Sequence, residues 1–289
     1  MKQNLLIKPN WLKVKYYTKH LKKITHIKSI LRKNNLYSVC EEAACPNITE
    51  CFGKGQVTFM ILGNICTRNC SYCNVTHGRP IVKYDNNEPL YLARMIYKMK
   101  LKYVVITSVN RDDLLDKGVQ QFTNCIQHIK DMNHNIKIEI LVPDFKHFVN
   151  EAIDMLGQNL PHVFNHNLET VERLHKHIRP GGNYTQSLIL LKKFKQKYPH
   201  IITKSGLMVG LGETITEIYK TIQDIKNNDV DIITIGQYLQ PTKKHISVKK
   251  YISLQEFMQM KHYAIDIGFK QAICGPLIRS SYNAQYYSL

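Results

Sequence analysis

The sequence predicts an α/β protein built from repeated βα units, arranged either as a barrel or as an open parallel sheet. Two observations predict this class. Short apolar runs rich in β-branched residues recur along the chain, as is typical of buried parallel strands. Stretches with apolar residues at helical spacing lie between these runs.

Six apolar runs account for the predicted strands, and a seventh at 269–273 is a possible extra strand. Polar and glycine residues follow several of the runs directly. Because active sites of β/α barrels lie at the C-terminal ends of the strands, we expect these residues and the cysteines to converge on one face. The six runs are 57–63, 103–108, 136–143, 162–167, 205–212 and 231–239.

Two helices are predicted in particular detail. Residues 20–34 place four apolar residues on one face, and Thr214 with Glu217 forms a capping box at the start of a later helix. Between 40 and 51, Pro46 and Asn47 predict a loop or a broken helix. The residues at helical spacing are Leu21, Ile24, Ile27 and Leu31 in the first helix and, as one stripe in the second, Ile215, Ile218, Tyr219, Ile222 and Ile225.

The chain has 289 residues, 44% of them hydrophobic, which is enough for one large domain or two small ones. No run of about 18 apolar residues is present, so no membrane span is expected. The N-terminus lacks a signal-peptide pattern, and we expect a cytoplasmic protein. Disulfides are disfavoured in such a reducing compartment, so clustered cysteines indicate metal.

The formal net charge is +18, from 40 Lys and Arg residues against 22 Asp and Glu. Such a charge is compatible with nucleic acid, a membrane surface or an acidic protein as partner. The lysines are spread along the chain, and Lys, Asn and Ile are abundant, as drift toward AT-rich codons produces. Drift is therefore the favoured source of the charge, and no nucleic-acid partner is predicted.

Six of the eight cysteines form two sets of three. The later set has the spacing C-x3-C-x2-C directly after the first predicted strand, and no second C-x2-C pair completes a zinc site. Three close thiolates favour an iron–sulfur cluster with one iron open to a substrate or cofactor, with zinc as the alternative. The two sets are Cys40, Cys45 and Cys51, and Cys66, Cys70 and Cys73.

At these motifs the chain resembles the radical S-adenosylmethionine (SAM) enzymes, whose signature is C-x3-C-x-aromatic-C after a first barrel strand. The preceding C-x4-C-x5-C motif makes it similar to the lipoyl synthase family among them. Matching motifs run from KPNWLKVK at 8–15 to RSSY at 279–282, and include CEEAACPNITECF, YVVITSVNRDDL, FNHNLET and SGLMVGLGE. The departures are Ala44, where the family often has Ser, and the GGNYTQS stretch after Pro180.

The resemblance implies a partial (β/α)6 TIM-like barrel over 57–270. An N-terminal extension at 1–56 and a C-terminal extension at 271–289 are expected to carry an auxiliary cluster. The implied enzyme is a sulfurtransferase that inserts two sulfur atoms, at C6 and C8 of a protein-bound octanoyl-lysine, to give lipoyl-lysine. The auxiliary cluster would be the sulfur source, and each insertion would use one SAM.

The resemblance also implies the cofactors, which are two [4Fe–4S] clusters and SAM. The first cluster would bind SAM through its open iron, and the second would take its fourth ligand from the second serine of RSSY. The expected ligands are Cys66, Cys70 and Cys73 for the first cluster, and Cys40, Cys45, Cys51 and Ser281 for the second.

Nine further residues are candidate SAM contacts, several with a plain structural alternative. Gly210 and Gly212 permit close backbone approach, but they also fit a simple turn. Arg111 fits either the methionyl part of SAM or an ion pair with Asp112 or Asp113. The candidates are Asn110, Arg111, Asn165, Asn167, Glu169, Arg179, Gly210, Gly212 and Glu213.

The expected partners are octanoylated lipoyl-carrier domains, namely the E2 subunits of 2-oxoacid dehydrogenases and the H protein of glycine cleavage, together with a low-potential electron donor. Carrier domains of this pathway tend to be acidic, so a basic surface would favour their docking. Two competing interpretations stay open: another radical SAM enzyme with an auxiliary cluster, and a basic iron–sulfur or zinc protein that binds nucleic acid.

Overall fold

A computed structural model describes residues 7–14, 18–81 and 84–287. At its centre eight strands form one sheet, in which their order across the sheet equals their order along the chain. The first strand is antiparallel to the second, and all later neighbours are parallel. The strands are β1 (Tyr37–Ser38), β2 (Thr58–Ile61), β3 (Tyr103–Ser108), β4 (Lys137–Leu141), β5 (Val163–Asn165), β6 (Ile202–Val209), β7 (Ile232–Gln237) and β8 (Gln271–Gly275).

Helices connect the parallel strands, as a parallel sheet requires. Among the described residues the edge strands β1 and β8 do not pair with each other, so the sheet is open rather than closed. No helix in this part of the chain is long and apolar enough to cross a membrane. The helices are α1 (Leu21–Lys33), α2 (Val39–Glu42), α3 (Ile48–Gly53), α4 (Glu88–Lys98), α5 (Val119–Met132), α6 (Val149–Leu156), α7 (Glu172–Ile178), α8 (Tyr184–Lys197), α9 (Ile215–Lys226) and α10 (Leu254–Asp266).

The main hydrophobic core lies between the sheet and these helices. In one contact the rings of Phe164 on β5 and Phe194 on α8 stack with centroids 3.7 Å apart, and both side chains are fully buried. The strand interior also holds a buried ion pair, in which Lys204 Nζ on β6 lies 3.0 Å from Glu139 Oε1 on β4. The burial of these side chains holds the strands in place, and the C-terminal ends of the strands carry the site.

The predicted fold class is confirmed, and the possible extra strand is present as β8. The predicted helix at 20–34 is α1, and the capping box of Thr214 and Glu217 begins α9. Most residues of the two apolar stripes are buried, but Leu21 and Ile215, each in the first turn of its helix, are 41% and 42% exposed. The antiparallel β1 was not predicted, because two residues show no alternation.

The segment 40–51 is a broken helix, since α2 and α3 flank the turn that contains Pro46. This confirms one of the two predicted alternatives. The division of the chain at 56/57 and 270/271 stays a prediction. Residues 1–6, 15–17 and 288–289 of the predicted extensions lie outside the described residues, as does Lys15 of the KPNWLKVK motif.

Candidate iron–sulfur and SAM site

The loop that follows β2 carries the first cysteine set and folds back on itself. Cys66 N–H donates to the carbonyl of Thr76 at 2.8 Å, and Gly78 N–H donates to the carbonyl of Cys66 at 2.9 Å. Cys73 N–H donates to the carbonyl of Cys70 at 3.0 Å. The backbone therefore holds the three cysteines in one compact turn at the C-terminal end of a buried strand.

Arg68, inside this loop, anchors it to the ends of two neighbouring strands. Its guanidinium donates to both oxygens of Asp112 after β3, at 2.6 and 2.8 Å, and to both oxygens of Asp144 after β4, at 2.6 and 2.7 Å. The side chains of Arg68 and Asp144 are each 3% exposed. Burial alone would raise the pKa of Asp144, but these hydrogen bonds and the charges of Arg68 and Arg179 lower it to about 2.

The thiols of the first set are half-buried in the same loop. Burial raises the pKa of Cys70 to about 11, and burial together with the neighbouring thiols raises that of Cys73 to about 12. Cys66 contributes to both shifts, so the three sulfurs are close enough for their charges to interact. All three are free thiols. This donor set fits an iron–sulfur cluster.

Among the described residues, no three His, Cys, Asp or Glu side chains are grouped as ligands of a single metal ion. Thiolates around one zinc ion lie about 3.8 Å apart, because Zn–S bonds of about 2.3 Å point to the corners of a tetrahedron. Three thiols that serve a four-iron cluster lie farther apart, on separate irons. The spacing of the described thiols is therefore compatible with an iron–sulfur cluster, although it does not suit a single metal ion.

The first set opens into a cavity of about 490 Å³, here called the upper cavity. Four of the nine candidate SAM contacts line it: Asn110, Asn167, Glu169 and Arg179. Asn110 Nδ2 lies 3.9 Å from the sulfur of Cys66, and its buried Oδ1 has no hydrogen-bond partner among the described residues. A buried acceptor without a partner beside the first cysteine set fits a donor supplied by a bound ligand.

Glu169 is held in place by its backbone. It has a left-handed conformation (φ 72°), and both its N–H and its carbonyl bond to β6, at Gly206 and Met208. Burial raises the pKa of its carboxyl, although the charge of Arg179 and a hydrogen bond from Asn167 Nδ2 at 3.1 Å oppose this. A strained residue in a cavity wall is typical of a ligand site.

Gly206 and the C-terminal tail, which is the segment that follows β8, shape the wall of the upper cavity. A Cβ at Gly206 would lie 2.7 Å from both Asn167 Oδ1 and Ser280 Oγ, so only glycine leaves room for their contact. Ser280 Oγ donates to Asn167 Oδ1 at 2.6 Å. Sequence reasoning missed Gly206, Ser280 and the anchor Arg68. Gly206 and Ser280 lie inside the quoted motifs SGLMVGLGE and RSSY, and Arg68 lies between Cys66 and Cys70, but no pattern assigned a role to any of them.

The other five candidate SAM contacts do not line the upper cavity, and their cofactor roles stay predictions. Arg111 donates to both oxygens of Asp113, each at 2.9 Å, which is one of its predicted alternatives. Asn165 Nδ2 donates to the buried Glu139 at 2.9 Å. Gly210 and Gly212 have positive φ, and the carboxylate of Glu213 accepts from the Gly210 and Leu211 N–H groups, which closes a turn.

The second cysteine set is spread over two helices and the turn between them. Cys40 lies in α2, Cys51 in α3, and Cys45 N–H donates to the Cys40 carbonyl at 3.0 Å. Burial, together with the charges of neighbouring thiols, raises the pKa of Cys40 to about 11 and that of Cys51 to about 12. Burial also raises the pKa of Cys45, and the charge of Arg279 opposes it. These free thiols are a second donor set of the same kind.

The C-terminal tail packs against this second set. Asn47 Nδ2 donates to the carbonyl of Leu277 at 2.7 Å, and the hydroxyl of Tyr282 donates to Glu50 at 3.1 Å. These contacts join residues 230 and 232 positions apart. As a result Ser281 shares the wall of a second cavity, of about 1320 Å³, with all three cysteines of the set.

This second cavity, here called the lower cavity, also reaches the amino ends of β2, β3 and β4 at Thr58, Tyr103 and Lys137. The two cavities share Cys40, Cys45, Arg279 and Ser281, whereas Cys51 lines only the lower one. Cys40 and Cys45 therefore lie on the same face as the first set, as expected. Cys51 lies farther along the lower cavity, which extends toward the amino ends of the strands.

Comparisons with known proteins agree with this arrangement. The family model of the Radical SAM superfamily matches residues 60–225, which include the first cysteine set and the strands around it. The chain is thus an enzyme of the radical SAM class. The lipoyl synthases of Shewanella amazonensis and Buchnera aphidicola subsp. Baizongia pistaciae are each 55% identical to it over 98% of its length, covering 88% and 89% of their own. The chain belongs to the lipoyl synthase family, whose members transfer sulfur.

Solved structures of more distant proteins share the fold. Methylornithine synthase superposes with a TM-score of 0.57 at 14% identity, over 74% of this chain and 63% of its own. Streptococcus suis SuiB bound to S-adenosylmethionine gives 0.57 at 15% identity, over 94% and 67%. At such identities the likeness supports the fold alone.

Proposed function

We propose that the enzyme inserts two sulfur atoms, at C6 and C8 of a protein-bound octanoyl-lysine, to give lipoyl-lysine. The observation that carries the proposal is the pair of thiol sets on adjoining cavities that share Cys40 and Cys45. One set suits SAM cleavage, and the other suits sulfur supply within reach of the same substrate. A single octanoyl-lysine side chain at the junction of the two cavities then reaches both thiol sets.

Cys66, Cys70 and Cys73 would hold the first [4Fe–4S] cluster, which supplies the electron for reductive cleavage of SAM. The chain's own residues bind and orient SAM in the upper cavity. Asn110 offers its free Oδ1 beside the cluster ligands, and Glu169 offers a carboxyl fixed by β6. Holding reactants in a closed, oriented arrangement is the main contribution of the protein in cofactor chemistry.

Cys40, Cys45 and Cys51 would hold the second [4Fe–4S] cluster, with Ser281 as its fourth ligand and the cluster as sulfur source. Support comes from the tail contacts, which bring Ser281 to the cavity wall that all three cysteines line. A serine oxygen is a harder and weaker partner for this soft site than a thiolate. It therefore suits a cluster that is taken apart during turnover.

The lower cavity suits the docking of an acidic carrier domain. None of its described lining residues is Asp or Glu, and only Lys54 among its lysines forms an ion pair in the described part of the chain. Unpaired charges of one sign around a concave opening attract the opposite charge. The cations are seven lysines and two arginines: Lys23, Lys33, Lys54, Lys98, Lys100, Lys102, Lys137, Arg94 and Arg279.

Charge reversal at the lower cavity tests this docking. Lys102→Glu with Lys137→Glu should raise the KM for an octanoylated carrier domain about tenfold at low salt, and added salt should close the gap. The control is Lys176→Glu with Lys192→Glu, which makes the same change of charge at exposed positions outside both cavities. An equal loss in both variants would show that only net charge matters.

The reaction itself is tested by anaerobic turnover of the reconstituted enzyme. With SAM, a low-potential reductant and an octanoyl-lysine peptide, the product mass should rise by two sulfur atoms as the dithiol, and oxidation to the lipoyl disulfide should then remove two hydrogens. SAM cleavage without sulfur insertion would leave the radical SAM class intact and refute this substrate.

Because all eight cysteines are free thiols, we further propose that the enzyme works in a reducing compartment, the cytoplasm.

A further inference from the structure

Three arginines near the site have carboxylate partners. They are buried, with 2% to 6% of each residue exposed. Such pairing is expected, because an unpaired charge removed from water costs several kcal/mol. Arg68 pairs with Asp112 and Asp144, Arg111 pairs with Asp113, and Arg179 lies 3.9 Å from Asp144.

Arg279, the first residue of RSSY, differs from these three. Within the described residues it has no carboxylate within ion-pair distance, and its guanidinium donates only to the carbonyl of Ile278, at 2.6 Å. A guanidinium has five N–H donors, so most of its hydrogen-bonding capacity is free. The charges of Cys45 and Glu169 act on Arg279 without lying within ion-pair distance, and a bound anionic group would complete its pairing.

The position of Arg279 indicates which group that is. It lines both cavities, at the junction that it shares with Cys45 and Ser281. Gly236 on β7 makes room for it, because a Cβ there would lie 3.1 Å from Arg279 Nη1 and collide with the carbonyl of Ile278. The guanidinium of Arg279 therefore occupies space that Gly236 leaves free beside the second cysteine set.

We propose that Arg279 is a positioning residue for the second cluster, donating hydrogen bonds to its sulfurs and balancing its negative charge. The proposal rests on the proposed two-cluster function. Hydrogen bonds to the sulfurs and net charge set the reduction potential of such clusters. Arg279 also lies two residues before Ser281 in the sequence. A hydrogen bond from Arg279 to a cluster sulfur therefore also keeps Ser281 beside the cluster.

The test uses the full chain, reconstituted anaerobically with iron and sulfide, as wild type, Arg279→Gln and Arg279→Lys. In Arg279→Gln, iron of the second cluster should pass to a chelator about tenfold faster, as loss of an outer-shell partner typically causes. The reduction potential of the second cluster should become more negative, while that of the first stays unchanged. Arg279→Lys keeps the charge and should restore the potential.

Mössbauer spectroscopy separates the two clusters, and Arg94→Gln is the matched control, an exposed arginine in the wall of the same lower cavity. Equal changes at both clusters, or none at either, would overturn the proposal. So would weaker binding of an octanoyl-lysine peptide with an unchanged second cluster. If the wild type forms only one cluster, the proposed function fails as well; if it forms two that ignore Arg279→Gln, this proposal alone fails.

Discussion

The two cysteine sets are built in different ways. The first lies in one short loop after β2, closed by its own backbone hydrogen bonds and anchored through Arg68 to the ends of β3 and β4. The second is divided between α2, α3 and their turn, and depends on tail residues more than 200 positions away. One set is therefore part of the sheet, whereas the other is assembled from both ends of the chain.

This difference fits different chemical duties. A cluster that returns to its starting state after each electron transfer benefits from a rigid loop on a rigid sheet. A cluster that gives up sulfur benefits from an arrangement that can open. The following changes are expected to affect one set and spare the other.

Removing one thiol from each set should have the largest effect. Cys70→Ala should abolish SAM cleavage, whereas Cys45→Ala should keep SAM cleavage and lose sulfur insertion. Each variant should bind about four irons, against about eight in the wild type, if each set holds the four-iron cluster proposed for it. Iron analysis and a deoxyadenosine assay measure both effects. Loss of SAM cleavage in Cys45→Ala would contradict the division.

Asp144→Asn should destabilise the fold by about 2 kcal/mol at pH 7, because it removes the buried carboxylate partner of Arg68 and leaves only the more exposed Asp112 to pair with it. The pKa of Asp144 lies at about 2, below the usual value for Asp, so the pair stabilises the fold fully above about pH 4. That stabilisation is lost as the pH falls toward 2. Urea unfolding of the cluster-free protein should therefore show the gap between wild type and variant closing in acid.

The matched control is Asp154→Asn, which breaks the exposed ion pair with Lys197. Because exposed ion pairs contribute little, this change should alter the free energy of unfolding by about 0.5 kcal/mol or less. Equal losses in both variants would show that the Arg68 network does not anchor the first loop.

The neighbouring serines of the tail offer a finer comparison. Ser281→Ala should speed iron loss from the second cluster about tenfold, because it removes the proposed fourth ligand. Ser280→Ala removes the hydrogen bond to Asn167 and should weaken SAM binding about fivefold, as about 1 kcal/mol implies, with both clusters intact. Chelator kinetics and SAM titration distinguish them. The reverse pattern would exchange the roles of the two serines.

Local patterns predicted the parts of the molecule that are local in sequence. The strand runs, the capping box of Thr214 and Glu217, and the C-x3-C-x2-C loop each depend on a few adjacent residues. The motifs also pointed to Ser281, although only the resemblance singled it out. Leu21 and Ile215 show the limit, because apolar spacing does not tell whether the first turn of a helix is covered.

Long-range contacts escaped prediction. No spacing links Arg68 to Asp112 and Asp144, which lie 44 and 76 positions away. The role of Gly206 depends on Ser280, which reaches it from the tail. Candidate contacts such as Asn165 were inferred from their place after a strand, yet its side chain turns to Glu139 on the neighbouring strand. Strand order alone does not fix that orientation.

The central claim is that the second set supplies the sulfur. We would reconstitute the enzyme with ³⁴S-sulfide, remove free sulfide, and analyse the product of a single turnover with an octanoylated carrier by mass spectrometry. The account predicts ³⁴S at both C6 and C8, and no sulfur insertion by a Cys40→Ala, Cys45→Ala, Cys51→Ala variant that still cleaves SAM. Unlabelled sulfur in the product, or a lipoylated product from that variant, would contradict it.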